Sequence, residues 1–163
     1  MPTEQLMRIW GNGIGGINLS HTVGGGRHNT VGDVMLIQAL LNFIAEAEGS
    51  VEKIGVRSTD ELPNVDGNWD SFFYNSVTAF KRKNAHILLS SGGEPFDHVY
   101  PVSKDYEIVD DDKWPTIMLL NQYATDATGI MRNREIENSS KDPGFPYPTS
   151  MLIMFPELRQ HLI

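Results

Sequence analysis

The sequence predicts a mainly α protein with a core of three helices, and three observations carry that expectation. Over 32–48, Val34, Ile37, Leu41 and Ile44 recur at steps of three, four and three, and Leu40 widens the stripe. The Asp66-Gly67 turn feeds a second stretch, 70–84, where Phe73, Val77 and Phe80 fall at steps of four and three while Asn75, Thr78, Lys81 and Arg82 point elsewhere. A third stripe, Ile117, Leu120, Ala124 and Ala127, follows the acidic turn at 110–112. Each has the 3.6-residue period of a helix with one buried face, so the three are expected to close on one another.

Taken in order, residues 1–16 form a glycine-rich arm, and Gly24, Gly25 and Gly26 extend the same character toward the first helix. Short apolar pieces such as Ile14, Ile17, Leu19 and Val23 lie between the glycines, which suggests extended or looping backbone against the body. A phosphate-binding loop is disfavoured: it would need Lys followed by Ser or Thr after the last glycine, and Arg27-His28 stands there. Asp33 favours the start of the first helix. Between the first two helices, Val51, Ile54 and Val56 read as a short strand or a cover. Asp70 is placed to cap the second helix. The connection 85–113 holds the apolar Ile87 to Leu89 and the breaker-rich Ser90 to Pro95; loops of such length usually carry structure, so a short two-stranded piece is expected there. Pro115 suits the first turn of the third helix, which the triple aspartate 110–112 would cap. From Gly129 to the end runs a Pro-rich extension with Pro143, Pro146 and Pro148. Its apolar run Met151 to Phe155 either folds back on the core or meets a partner, and Pro156-Glu157-Leu158 opens a last short helix.

At 163 residues, 40% apolar and 21% charged, the chain is expected to be a single globular domain. A net charge of −8 argues against nucleic acid and anionic membranes as principal ligands. No stretch approaches the ~20 apolar residues of a membrane span, so no membrane insertion is expected. The first residues lack a basic leader and an apolar run, which points to cytoplasmic synthesis and, for any role outside the cell, a non-classical export route. There is no cysteine, hence no disulfide or thiolate chemistry.

No catalytic residue, metal or cofactor is expected. Asp66, Asn68 and Asp70 have the opening spacing of a calcium loop, but Ser71 and Val77 stand where that loop requires Gly and Glu. The histidines His21, His28, His86, His98 and His161 form no ligand pair at helical spacing, Glu46 and Glu48 read as solvated, and Ser90-Ser91 lacks a nucleophile context.

The blocks themselves carry a likeness. Val23, Gly24, Gly26, Asn29, Asp33, Val34, Gln38, Leu40, Leu41 and Asn42, followed by Val65, Asp66, Gly67, Trp69, Val77 and Phe80, resemble bacterial peptidoglycan-binding-like domains over about 17–125. The resemblance implies a three-helix, non-catalytic module that docks cell-wall peptidoglycan beside the Asp66 turn. Asp70, Phe73, Ser76 and Lys81 depart from the Gly, Thr, Ala and Gln that the family usually writes. Asp66, Gly67, Asn68, Trp69, Tyr74 and Trp114 are then the candidate ligand-binding residues, the aromatics because a ring face with a polar handle suits sugars; core packing is the alternative for Trp69 and Trp114. The rival reading is an adaptor in a bacterial secretion or phage-tail-like assembly, binding a protein partner through the glycine-rich arm and the Met-rich tail.

Overall fold

A computed structural model of the chain describes residues 1–9, 11–88, 94–109, 114–137 and 146–163. Its architecture is α+β, which corrects the expected mainly α, three-helix core: among the described residues there are five helices and one three-stranded mixed sheet. The glycine-rich arm is the source of the difference. β1 (Thr3–Ile9) and β2 (Asn12–Asn18) form an antiparallel hairpin with Ile9 opposite Asn12, and Gly11 sits in the connection at a φ of 77° that only glycine adopts freely. Met7 and Ile9 point into the core, whereas Gly13, Gly15 and Gly16 give β2 no side chains with which to display strand alternation. β3 (Glu107–Ile108) adds to β1 in parallel, giving the order β2-β1-β3. The expected strand pairing within 85–113 is therefore replaced: β3 joins the hairpin, while Val99 bridges to Val23 and Leu88 to Trp114.

Three helices occupy the periodic stretches. α1 (Val31–Glu48) is buried on every side, from Gly32 through Leu41 without a break. A helix that is buried all round must be wrapped by other elements. α3 (Thr116–Glu137) is its principal helical neighbour, rather than the second helix, α2 (Ser71–Lys83). α3 runs through Gly129, past the expected start of the tail. The short α4 (Thr149–Met154) and α5 (Pro156–Arg159) pack on α1 with Met151, Leu152 and Leu158 buried, so the C-terminal segment folds back on the core. Val51, Ile54 and Val56 form no strand; Ile54 is buried and the segment is a cover. The aspartates 110–112, Ser90-Ser91 and Pro143 lie outside the described residues.

Besides the shared apolar core, one polar side chain joins sheet and helices. Asn121 of α3 takes the place of a neighbouring strand: its Oδ1 accepts from Ile17 N at 2.8 Å and its Nδ2 donates to Ile17 O at 3.0 Å. Nδ2 also donates to Ile117 O, and the buried Tyr147 hydroxyl donates to Oδ1. Burial pushes that phenol above its ordinary range, which keeps it a donor. Gly16 permits the approach, since a Cβ there would stand 2.9 Å from Asn121 Oδ1 and 2.8 Å from Met7 Sδ.

Truncating Asn121 leaves a buried N–H and C=O of Ile17 without partners at ~1–3 kcal/mol each. Asn121→Ala is expected to lower stability by about 3 kcal/mol in urea unfolding, against about 0.5 kcal/mol or less for Gln122→Ala on the outer side of the same turn.

Candidate functional site

The Asp66 turn is fixed from below by α1. Gln38, fully buried, uses its whole amide on it: Oε1 accepts from Asp66 N at 3.0 Å and Gly67 N at 2.7 Å, and Nε2 donates to Asn68 O at 2.9 Å and Asp66 Oδ1 at 3.2 Å. Asp66 Oδ1 also accepts from Asn68 N at 2.9 Å, closing the turn on itself. Gly67 has a φ of 78° and lies so close to Val31 that a Cβ would come within 2.5 Å of its Cγ1. One turn further along α1, Asn42 Nδ2 donates to Pro63 O at 2.8 Å. The backbone N–H groups of Asp66, Gly67 and Asn68 and the Asp66 Oδ1 atom are thus engaged in holding the turn, while Asp66 Oδ2 and the Asn68 side-chain amide are at exposed residues with no hydrogen bond among the described residues.

From the turn, α2 starts with Asp70 as cap, its carboxylate accepting from Phe73 N at 2.8 Å. Phe73, Val77 and Phe80 face the core as the period predicts. Thr78 and Lys81, expected to point away, are buried as well, and so is Ser76. Two of these buried polar residues hold the long connections. Ser76 Oγ shares its proton between Phe72 O at 2.7 Å and Glu61 O at 3.0 Å, tying the 49–64 segment to α2, and Asn84 Nδ2 fastens Lys53 O at 3.0 Å. Gly55, at a φ of 90°, lets this segment pass against the backbone of Ala79. On the other flank, Lys81 Nζ pairs with Glu94 Oε1 at 2.7 Å, donates to Pro95 O at 2.8 Å and also to His98 O. Glu94 in turn accepts from Tyr100 N at 2.8 Å and from the Thr116 hydroxyl. The side chains of this pair are only 6% and 8% exposed. Burial lowers the Lys81 ammonium from its ordinary range, and the Glu94 carboxylate opposes that shift.

Between the two fastened connections lies a groove of about 520 Å³ along the outer side of α2. Arg57 and Glu61 form one wall, Tyr74, Asn75 and Arg82 come from α2, and Phe96 closes the other side. Arg57 Nη2 meets Glu61 Oε2 at 3.2 Å, and the hydrogen bond from Arg57 holds the Glu61 carboxyl below its usual range, so it is ionised at neutral pH. Arg82 Cζ lies 5.6 Å from the centroid of the Phe96 ring. A smaller cavity of about 190 Å³ near Tyr100 and Tyr106 is lined mainly by apolar atoms, and its one carboxylate, Glu94, is already engaged.

The structure brings together part of the predicted set. Trp69 is half-buried, with its ring edge-on to Phe73 at 5.1 Å and to Tyr74 at 6.3 Å. Tyr74 is 44% exposed and lines the groove. Trp114 does not join them: it bridges to Leu88, past the C-terminal end of α2, whereas Trp69 precedes the N-terminal end. It is buried at 6% exposure, and its indole Nε1 has no hydrogen-bond partner among the described residues, so it belongs to the core. Sequence reasoning did not find Arg57, Glu61, Asn75, Arg82 or Phe96; Phe96, a large aromatic inside a breaker-rich loop, was the available signal.

Among the described residues no cluster of three or more His, Asp or Glu could hold a metal ion, and no helix is long and apolar enough to cross a membrane. Compared with protein-family models, curated proteins and solved structures, the chain matches none.

Removing one member of the Lys81–Glu94 pair strands the other in the interior. Lys81→Met and Glu94→Gln are each expected to cost about 3 kcal/mol in chemical unfolding, and the double variant clearly less than the sum of the two.

Proposed function

We propose that the chain is a non-catalytic binding module for bacterial cell-wall peptidoglycan, with the groove along α2 as the docking surface. The observation that carries this reading is the groove itself: a cleft between two fastened connections in which an exposed tyrosine ring stands beside an amide and guanidinium groups. A ring face packs on apolar C–H surface while amides and guanidiniums bond hydroxyls and carbonyls, which is the mixture a glycan-peptide polymer requires. The blocks that carry the family likeness support it as well, since Gln38 of the first grips Asp66 and Gly67 of the second. The binding residues on this reading shift from the turn to Tyr74 and its neighbours, which line the groove.

The adaptor alternative relied on the glycine-rich arm and the Met-rich tail as docking elements. Both are built into the folded body, as β1–β2 and as α4, so that reading is left with outward side chains such as Ile153, which is 54% exposed.

Purified sacculi test the proposal. Wild-type protein is expected to sediment with them, and Tyr74→Ala combined with Asn75→Ala, both at exposed positions, to weaken retention about tenfold, equivalent to ~1.4 kcal/mol. Wild type that stays in the supernatant contradicts it.

A further inference from the structure

Arg82 stands apart from the other buried or groove-lining cations. Lys81 is paired with Glu94 and Arg57 with Glu61, whereas the Arg82 guanidinium has neither an ion pair nor a hydrogen bond among the described residues. Its contact is the Phe96 ring, and the loop bearing that ring is tied down by Lys81 through Pro95 and His98. Stacking on an aromatic face orients the planar guanidinium while leaving its N–H edge free. Such an edge matches a carboxylate in two parallel hydrogen bonds. Charge points the same way. Two guanidiniums and one carboxylate line the groove, leaving one positive charge in excess on a protein whose net charge is −8. An anion is thus drawn to this cleft while the rest of the molecule repels it.

We infer that Arg82 is a carboxylate receptor and that the groove takes a short peptide segment ending in a free carboxylate. Resting on the wall-binding reading, this names the stem peptide rather than the glycan as the part that is gripped. Arg82 Cζ lies 5.6 Å from the Phe96 ring centroid, so a sugar stacking there would share the ring with a cation, whereas a carboxylate meets the guanidinium directly. Glu61 on the opposite wall stays paired with Arg57, so Arg82 is the groove's charge left for a ligand. Asn75, exposed on α2 between them, can bond a peptide unit of an extended segment.

The test crosses ligand and protein variants. Soluble muropeptides with free carboxylates, and the same preparation amidated with methylamine, are titrated into wild type and Arg82→Gln. Wild type is expected to bind the free form at least tenfold more tightly, and Arg82→Gln to bind both forms alike at the weak level; Arg82→Lys should restore the preference only in part. Equal affinity of wild type for the two forms, or a preserved preference in Arg82→Gln, overturns the inference. Acetyl-alanyl-alanine and its amide, followed through the Arg82 side-chain N–H resonance, separate the two claims. A response to the acid alone, with no muropeptide binding, supports the receptor and removes the wall reading. No response to either peptide overturns the receptor even where sacculi are bound. A response to N-acetylmuramic acid in place of the dipeptide overturns the peptide as the source of the carboxylate.

Discussion

Everything in this protein is arranged around a helix that has no outside. α1 is buried from Gly32 to Leu41 without interruption and at most positions beyond, so its polar residues cannot be left to solvent. Asp33, Gln38 and Asn42 are each met by backbone brought to them, while Glu46, near the helix end, is exposed. Asp33 accepts from Ser20 N, Ser20 Oγ, His21 N and Thr30 Oγ1 at 2.6 to 3.1 Å; Gln38 receives the Asp66 turn; Asn42 receives Pro63. Burying such groups unpaired would cost several kcal/mol in total. The requirement therefore dictates where three stretches of irregular chain must lie. The sheet is placed by the same logic from α3, where Asn121 stands in for the strand that β2 lacks on its outer edge.

What is then fastened to α2 shapes the groove beside it. Ser76 and Lys81, both buried on α2, are the residues that anchor the two long connections. A methyl group could not hold Glu61 O, and an amide could not neutralise Glu94 inside the protein. The groove lies in the space between the two connections that these residues fasten. Its residues need no strain and no metal to be positioned; they sit on a helix and on loops tied to that helix.

The parts of this fold that were legible in the sequence are those whose signal is a period. Val34, Ile37, Leu41 and Ile44, then Phe73, Val77 and Phe80, then Ile117, Leu120 and Ala124 all lie buried on helices. The hairpin was hidden because glycine leaves a strand without side chains to alternate, and because a two-residue β3 carries no pattern at all. Lys81 was read as a surface residue, since lysine almost always is one; its partner lies thirteen residues on, in a loop, where no local rule connects them. The tight wrapping of α1 was hinted at by Gln38, an amide set among leucines, but which turn it would grip depends on tertiary packing. The groove was least legible, being made where Arg57, Arg82 and Phe96 converge from separate segments.

Native-state hydrogen exchange measures the central claim most directly. If the fold is organised on a helix enclosed on all sides, the amides of Leu36 to Ile44 should be the slowest in the molecule and should open only with global unfolding, with the sheet and α2 exchanging through smaller openings. Amides in α1 that exchange by local fluctuation, or a β1–β2 hairpin that outlasts them, would contradict the account.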